Sequence, residues 1–263
     1  MKKNISDYEK VLKARDLNRP HIDEFINNIF DEFIELKGDR LQADDESILG
    51  GVALLDGIPV TVIGQKKGRE ANENIRCNFG MTSPEGYRKS IRLMRQAEKF
   101  NRPVVTFIDT PGAYPGKEAE MHGQSLAIAE CMSVMSDLKV PIISIITGEG
   151  NSGGALALMV SDKIWMLENA VFAILSPEGF ASILWKDATR ADEASELMNV
   201  TADKLLQFNF IDKVINEDKV LYKNIAANLK NEIRRLLKVS PEVLISERYD
   251  KFRNIDRCGR AVR

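Results

Sequence analysis

The sequence predicts one α/β domain with a partly parallel sheet and helical arms at both ends. Two apolar runs, residues 104–108 and the β-branched run 140–147, are each followed by a Gly-rich loop and then by a helical pattern. Strand–loop–helix units in succession are typical of parallel strands. Asp56-Gly57 between two further apolar runs predicts a β-hairpin beside them.

The predicted elements follow from apolar periodicity and from turn residues. A helical rhythm of apolar residues runs from Ile22 to Leu36 and ends at Gly38, a suitable residue after a helix C-terminus. Ser83-Pro84-Glu85 is typical of a helix start. In chain order we expect a loose arm over 1–20, a helix over 22–36, strands over 49–55 and 58–63, a long functional loop over 65–80, a helix over 83–100, a strand over 104–108, a helix over 123–138, a strand over 140–147, a helix over 155–160, strands over 163–167, 171–175 and 210–215, and helices over 220–237 and 241–252.

These elements divide the chain into three predicted regions. Residues 1–20 form a polar N-terminal arm, residues 21–240 form the main domain, and residues 241–263 form a C-terminal helix with a basic tail. No low-complexity linker separates them, so we expect one domain rather than two.

Composition excludes several classes of function. The 263 residues are 44% hydrophobic and 29% charged with a formal net charge of −2, which is ordinary for a globular protein and argues against nucleic acid as a partner. The sequence has no 18-residue apolar run, and its start lacks the apolar middle of a signal peptide, so we expect no membrane span and a cytoplasmic location. Cys77, Cys131 and Cys258 lie far apart with only two histidines beside them, so we expect no metal site in this chain.

The run from Gly148 to Ala155 carries the most chemistry. Its glycines lie between a strand and a helix start, where bare backbone N–H groups face outward and bind anions. The spacing matches neither a Walker P-loop nor GxGxxG, which leaves an oxyanion hole or a glycine turn that only permits close packing. The carboxyl ends of parallel strands share one edge, so Gly112-Ala113 in the loop after 104–108 is expected to converge with Gly153-Gly154.

Two other features leave alternatives open. Ser152 is either a nucleophile, with His122 as its base and Asp109 or Glu149 as the orienting carboxylate, or the cap of a helix that begins at Gly153. The second interpretation is favoured. The cationic residues of the 65–80 segment either grip the phosphates of a nucleotide-like cofactor or form a solvated face. They are Lys66, Lys67, Arg69 and Arg76.

Five blocks of sequence together resemble the carboxyltransferase α subunits of bacterial acetyl-CoA carboxylase, across about residues 20–215. They are FIELKGDR (33–40), NFGMTSPEGYRK (78–89), FIDTPGAYPG (107–116), GEGNSGGALA (148–157) and SPEGFASILWK (176–186). The family commonly has His where Lys37 and Gln65 stand, and Gly where Asn151 stands. These departures bear on the acyl substrate and not on the fold.

The resemblance implies the crotonase/ClpP-like fold, a spiral of ββα units, and the transfer of a carboxyl group from carboxybiotin on a carrier protein to acetyl-CoA. The product would be malonyl-CoA, in the first committed step of fatty acid synthesis. Gly153 and Gly154 would donate backbone N–H groups to the biotin ureido oxygen, with Ala155 beside them. Gly112 and Ala113 would line the adjoining loop, and Lys66, Lys67, Arg69 and Arg76 would lie near the shared cleft. The substrates would supply the acid–base chemistry, in keeping with a chain of two histidines.

The resemblance also implies partners. A zinc-bearing β subunit would complete an α₂β₂ heterotetramer, and a biotin carboxyl carrier protein and a biotin carboxylase would join it in an ATP-binding complex. The alternatives are a carboxyltransferase or decarboxylase subunit for another acyl-CoA or malonyl substrate, a non-catalytic partner subunit and, less favoured, a Clp-type serine peptidase.

Overall fold

One mixed sheet of eight strands forms the centre of the molecule, in a computed structural model that describes residues 5–258. The strand order is β1-β2-β3-β4-β5-β6-β8, and β7 pairs with the far end of β5. The strands are β1 (Glu32–Glu35), β2 (Ile48–Leu55), β3 (Ile58–Gln65), β4 (Val104–Thr110), β5 (Ile142–Asn151), β6 (Lys163–Leu167), β7 (Val171–Ala173) and β8 (Lys213–Ile215). From β3 to β8 every pairing is parallel, so the predicted α/β class with a parallel sheet is confirmed.

The β2–β3 hairpin turns at Asp56-Gly57 as predicted. Both residues have positive φ, 50° and 76°, as a two-residue turn between twisted strands requires. The register then runs unbroken from Leu55 opposite Ile58 to Ile48 opposite Gln65. This register brings Gln65 to the carboxyl end of β3, next to the ends of β4 and β5.

The predicted helix over 22–36 is wrong in its second half. Helix α2 ends at Ile29, Phe30 is extended, and Glu32–Glu35 forms β1, antiparallel to β2. Phe33 and Leu36 fit a helical spacing, but Phe33 packs against the core from an edge strand in which Ile34 faces solvent, and Leu36 does so directly after that strand. The apolar spacing of 22–36 therefore does not separate a helix from a helix followed by a strand.

Helices surround the sheet, and one of them lies in the segment predicted as a long loop. Within 65–80 the chain forms α3 (Ala71–Arg76) and a 3₁₀ turn (Asn78–Gly80), and the short helix α5 (Lys117–Met121) lies in a stretch for which no element was predicted. The helices are α1 (Asp7–Ala14), α2 (Ile22–Ile29), α3 (Ala71–Arg76), α4 (Pro84–Lys99), α5 (Lys117–Met121), α6 (Gln124–Asp137), α7 (Ser152–Leu156), α8 (Pro177–Trp185), α9 (Ala191–Met198), α10 (Ala202–Gln207), α11 (Leu221–Leu236) and α12 (Pro241–Cys258).

The core is built on β4 and β5, which are buried along their whole length. Phe107 of β4 stacks on Phe25 of α2 at 5.3 Å between ring centroids, and Tyr222 of α11 meets Phe25 edge-on. These contacts fix the central strands, so the loops at their carboxyl ends start from rigid positions.

Both arms are docked on the domain. Val11 and Ala14 of α1 are buried in a small cluster with Val171 and Val200, so this arm is not loose. In α12, Arg248 is 1% exposed and donates to both carboxylate oxygens of Asp162. The three-region division stays a prediction, and residues 1–4 and the tail 259–263 lie outside the described residues.

Candidate functional site

The two glycine loops meet at the carboxyl edge of the sheet, as predicted. Strand β4 leads into Gly112-Ala113 and β5 leads into α7, and near their ends Thr110 pairs with Gly150. A Cβ atom on Gly154 would lie 2.6 Å from the Gly112 carbonyl carbon and 2.7 Å from the Ala113 nitrogen. Any side chain would push the loops apart, so the close approach requires glycine.

The first turn of α7 presents backbone N–H groups that nothing inside the helix accepts. The helix begins at Ser152 directly after β5, and its N-cap, Asn151, makes no capping hydrogen bond. The Asn151 amide instead donates to Glu149 Oε1 at 3.3 Å. The N–H groups of Ser152, Gly153 and Gly154 therefore lack an intrahelical acceptor and are suited to an anionic oxygen.

In the other loop, hydrogen bonds within the fold engage the N–H groups on both sides of Ala113. Thr110 Oγ1 accepts the Gly112 N–H at 3.1 Å and donates to the Gly112 carbonyl at 2.8 Å. The Tyr114 N–H donates to the Thr82 carbonyl at 3.1 Å. Between these two residues, the backbone nitrogen of Ala113 lies next to Gly154.

Ser152 is neither the predicted cap nor part of a peptidase triad. It is the first residue of α7, with a φ of +58°, and the N-cap position belongs to Asn151. The Nδ1 atom of His122 lies 2.9 Å from Glu85 Oε1, and its Nε2 atom lies 3.0 Å from the amide nitrogen of Gln42. This fits a proton on Nδ1, because Nδ1 can then donate to the carboxylate and Nε2 can accept from the amide. With its base held elsewhere, Ser152 has no activated hydroxyl.

The carboxylates proposed for that triad serve another purpose. Lys67 Nζ lies 2.6 Å from Asp109 Oδ1 and 3.2 Å from Glu149 Oε2, and Arg15 Nε lies 2.9 Å from Glu149 Oε1. Burial opposes the charged form of Lys67, but the two carboxylates outweigh it and raise the pKa of its ammonium group. The Asp109 carboxylate also accepts the Glu149 N–H at 3.0 Å and so ties the end of β4 to β5.

Arg15 and its second partner, Glu178, belong to the charged cluster but were not predicted from the sequence. Arg15 Nη1 lies 2.8 Å from Glu178 Oε1, and hydrogen bonds from Arg15 lower the pKa of Glu178 to about 2. These residues lie 163 positions apart, so no local pattern could have joined them. They connect α1 and α8 to the charged cluster beneath the glycine loops.

All four cationic residues of the 65–80 segment are paired with carboxylates. Lys66 lies 2.8 Å from Glu73, and Arg76 lies 3.1 Å from Glu46. Arg69 pairs with Glu24, and Lys67 is held by Asp109 and Glu149. A phosphate would have to displace these partners, and phosphate binding by this segment stays a prediction.

Gln65, noted in the sequence only as a departure from the family pattern, contacts the site directly. Its side chain is 2% exposed, and Nε2 donates to the Gly154 carbonyl at 2.9 Å. Its Oε1 is buried and has no hydrogen-bond partner among the described residues.

The family model for acetyl co-enzyme A carboxylase carboxyltransferase-like proteins matches residues 1–256. The chain belongs to this family. The resemblance predicted from the five sequence blocks is therefore confirmed.

Curated relatives include both separate and fused proteins. The chain is 54% identical to the acetyl-coenzyme A carboxylase carboxyl transferase subunit alpha of Clostridium acetobutylicum, over 95% of this chain and 94% of the relative. It is 53% identical to a protein of Clostridium tetani named as subunits beta/alpha, over 97% of this chain. The chain spans 46% of that fused relative, or about half its length.

Solved structures give the same fold at low identity. Transcarboxylase 12S matches with a TM-score of 0.68 and 18% identity, over 87% of this chain and 45% of that one. The β subunit of Pseudomonas aeruginosa geranyl-CoA carboxylase matches with a TM-score of 0.68 and 16% identity, over 90% of this chain and 46% of that one. The predicted crotonase-type fold with helices at both ends is confirmed.

Residues 5–258, the described part of the chain, also bear on metal binding and on membrane insertion. No group of three or more His, Cys, Asp or Glu in this part of the chain is arranged to hold a metal ion. Among the same residues, no helix is both long and apolar enough to cross a membrane.

Proposed function

We propose that this chain is the α subunit of an acetyl-CoA carboxylase carboxyltransferase and transfers a carboxyl group from carboxybiotin to acetyl-CoA, forming malonyl-CoA for fatty acid synthesis. The observation that carries the proposal is the close backbone approach of Gly154 to Gly112-Ala113, which places the first turn of α7 beside the loop that follows β4. A family match over residues 1–256 supports the substrate class.

The site fits a ureido oxygen in both shape and charge. Gly112 has a φ of +145° and open space where a Cβ would stand, so the loop leaves room beside Ala113. Carboxybiotin, when bound, supplies the activated carboxyl group. The chain's own part is to hold the ureido oxygen of biotin with the N–H groups of Gly153 and Gly154. Ala113 and Ala155 form the wall beside that oxygen. Donors that are already fixed in place do not have to reorganise as negative charge develops, and one such donor is typically worth about 10²–10³ in rate.

The charged cluster beneath the loops keeps them rigid. Lys67 and Arg15 together balance the charges of Asp109 and Glu149, so both carboxylates are paired. We also propose that the paired cations Lys66, Arg69 and Arg76 lie near the cleft, where an anionic substrate would compete for them.

A β subunit would complete the site. Fused relatives named beta/alpha devote about half of their length to a region outside the match to this chain, which supports a β partner for it. We propose an α₂β₂ assembly in which β holds zinc, working in the cytoplasm with a biotin carboxyl carrier protein and a biotin carboxylase as an ATP-binding complex.

Reconstitution tests the proposal. The chain is co-expressed with a β subunit, supplied with carboxylated carrier protein and acetyl-CoA, and malonyl-CoA is measured. Malonyl-CoA that forms only with both subunits and with biotinylated carrier supports the assignment. Transfer to another acyl-CoA in preference to acetyl-CoA, or decarboxylation of a malonyl group without biotin, would overturn it.

A further inference from the structure

The buried amide of Gln65 is the side-chain contact to the Gly154 carbonyl, between the end of β3 and the first turn of α7. We propose that Gln65 is a positioning residue, which holds Gly154 against the Gly112-Ala113 backbone so that the N–H groups of the two loops keep their spacing. This inference rests on the proposed function.

Helix α7 cannot hold this position by itself. It has 5 residues, and a helix of this length is not stable from its own hydrogen bonds. The Leu158 N–H donates to the Ala155 carbonyl at 3.1 Å, one residue short of the regular helical acceptor, Gly154. The Gly154 carbonyl is thus available to the Gln65 amide, which donates to it at 2.9 Å.

The geometry leaves little tolerance for movement of Gly154. Its Cα approaches the Gly112-Ala113 peptide closely enough that even a methyl group would overlap it. Because Gln65 stands at the end of a strand paired along its length with β2, it gives Gly154 a fixed reference in the sheet. A hydrogen bond to the carbonyl also resists rotation of the peptide that follows Gly154.

The Oε1 atom of the Gln65 amide indicates that the contact with Gly154 serves more than folding. Oε1 is buried without a partner among the described residues, and a buried acceptor that lacks a hydrogen bond destabilises the fold. An apolar side chain of the same shape would avoid that cost. An amide at this position is therefore explained by its donor, which faces the candidate site.

Two variants separate positioning from packing. Gln65→Met keeps the volume and removes the donor, and Gln65→Glu keeps the shape but donates only when its carboxyl is protonated. Ser161→Ala is the matched control. Ser161 is also fully buried, and its hydroxyl lies within donating distance of two backbone carbonyls, 3.2 Å from that of Met159 and 2.9 Å from that of Lys163. It lies just before β6, at the amino edge of the sheet, away from the glycine loops.

The measurements use each chain in complex with its β partner. They are kcat and KM for acetyl-CoA, the ratio of Gln65→Glu to wild-type kcat between pH 5.5 and 8.5, and hydrogen exchange of the peptide covering 150–157. The titratable and charged groups on the adjoining elements include Lys67, Asp109, Glu149, Arg15 and also His21, whose Nδ1 lies 2.9 Å from the Lys67 carbonyl oxygen. Both proteins carry these groups, so the ratio removes the part of their titration that the two proteins share.

We expect Gln65→Met to lower kcat about 10- to 100-fold with KM for acetyl-CoA within about threefold, the scale of a small misplacement at an active site. Exchange in 150–157 should rise, and Ser161→Ala should match wild type in both readouts. The Gln65→Glu ratio should fall as pH rises, because ionisation removes the donor. If Gln65→Met does not fold, the Gln65→Glu ratio decides.

Two results would overturn the inference. One is a Gln65→Met complex that keeps full kcat and normal exchange, measured beside a wild-type complex that is active. The other is a Gln65→Glu ratio that does not change with pH. A wild-type complex with no carboxyl transfer would instead count against the proposed function, and the exchange measurement would still report whether Gln65 holds the loop.

Discussion

Replacing Gly154 with alanine tests the contact between the two glycine loops. The added Cβ would lie 2.6 Å from the Gly112 carbonyl carbon, whereas non-bonded carbon atoms settle at about 3.5–4.0 Å. One loop must therefore move by about 1 Å, and a shift of this size in a catalytic site costs about 10²-fold in rate. We expect kcat for carboxyl transfer to fall at least about 10²-fold, with a loss of about 1–3 kcal/mol in the free energy of unfolding from overpacking.

Gly153→Ala is the comparison for this experiment. Its Cβ would lie 3.6 Å from the Ile128 side chain, an ordinary contact, and its backbone N–H would remain. Malonyl-CoA formation by the reconstituted complex is measured for both variants, with urea unfolding of each chain. The loss at Gly154 should exceed the loss at Gly153 at least tenfold. Equal activities for the two variants, or a Gly154→Ala complex as active as wild type, would refute the reasoning.

Three further predictions concern residues around the loops. Ser152→Ala should keep carboxyl transfer and change the free energy of unfolding by no more than about 0.5 kcal/mol, because Ser152 caps nothing; labelling of wild type by a fluorophosphonate at Ser152 would contradict this. Lys67→Met should destabilise the chain by about 3–5 kcal/mol in urea unfolding, since it leaves Asp109 without its cation and Glu149 with Arg15 alone. A variant as stable as wild type would show that these charges do not hold the cluster together. The pKa of Glu178 is lowered to about 2, so the stability that it contributes is present above about pH 4.5 and is lost as the pH falls towards 2. Above pH 4.5, Arg15→Met should therefore unfold at a lower urea concentration than wild type, and this difference should close between pH 4.5 and 2. A difference that stays constant over this range would contradict the pairing.

Local sequence signals were sufficient for the parts of the site that depend on backbone conformation. Asp56-Gly57 predicted the hairpin because only residues that tolerate positive φ form its turn. The convergence of Gly112-Ala113 with Gly153-Gly154 followed from two parallel strands whose carboxyl ends share an edge. In both cases the governing constraint lies within a few residues of the chain.

Long-range contacts were out of reach. Nothing near Arg15 in the sequence indicates Glu149 or Glu178, which lie 134 and 163 residues away. The cap assigned to Ser152 was wrong because the end of strand β5 was not visible in the local sequence. Strand β5 continues to Asn151, so the helix begins one residue earlier than the glycine pattern suggested, and Asn151 takes the N-cap position.

The helix predicted to continue to Leu36 failed because local spacing was ambiguous. Phe33 and Leu36 continue the helical spacing of α2, but pairing of Phe33 with Ala53 across the sheet decides the strand. Tertiary pairing therefore overrides a local pattern that fits both structures.

The structure of the chain in complex with its β partner and a biotinylated carrier domain is the decisive test of the assignment of Gly153 and Gly154. We expect the biotin ureido oxygen within about 2.7–3.1 Å of the N–H groups of Gly153 or Gly154, the range for an oxyanion donor, with Ala113 lining the same pocket. A ureido oxygen held by side chains or by the β subunit, with Gly153 and Gly154 out of hydrogen-bond reach, would contradict it.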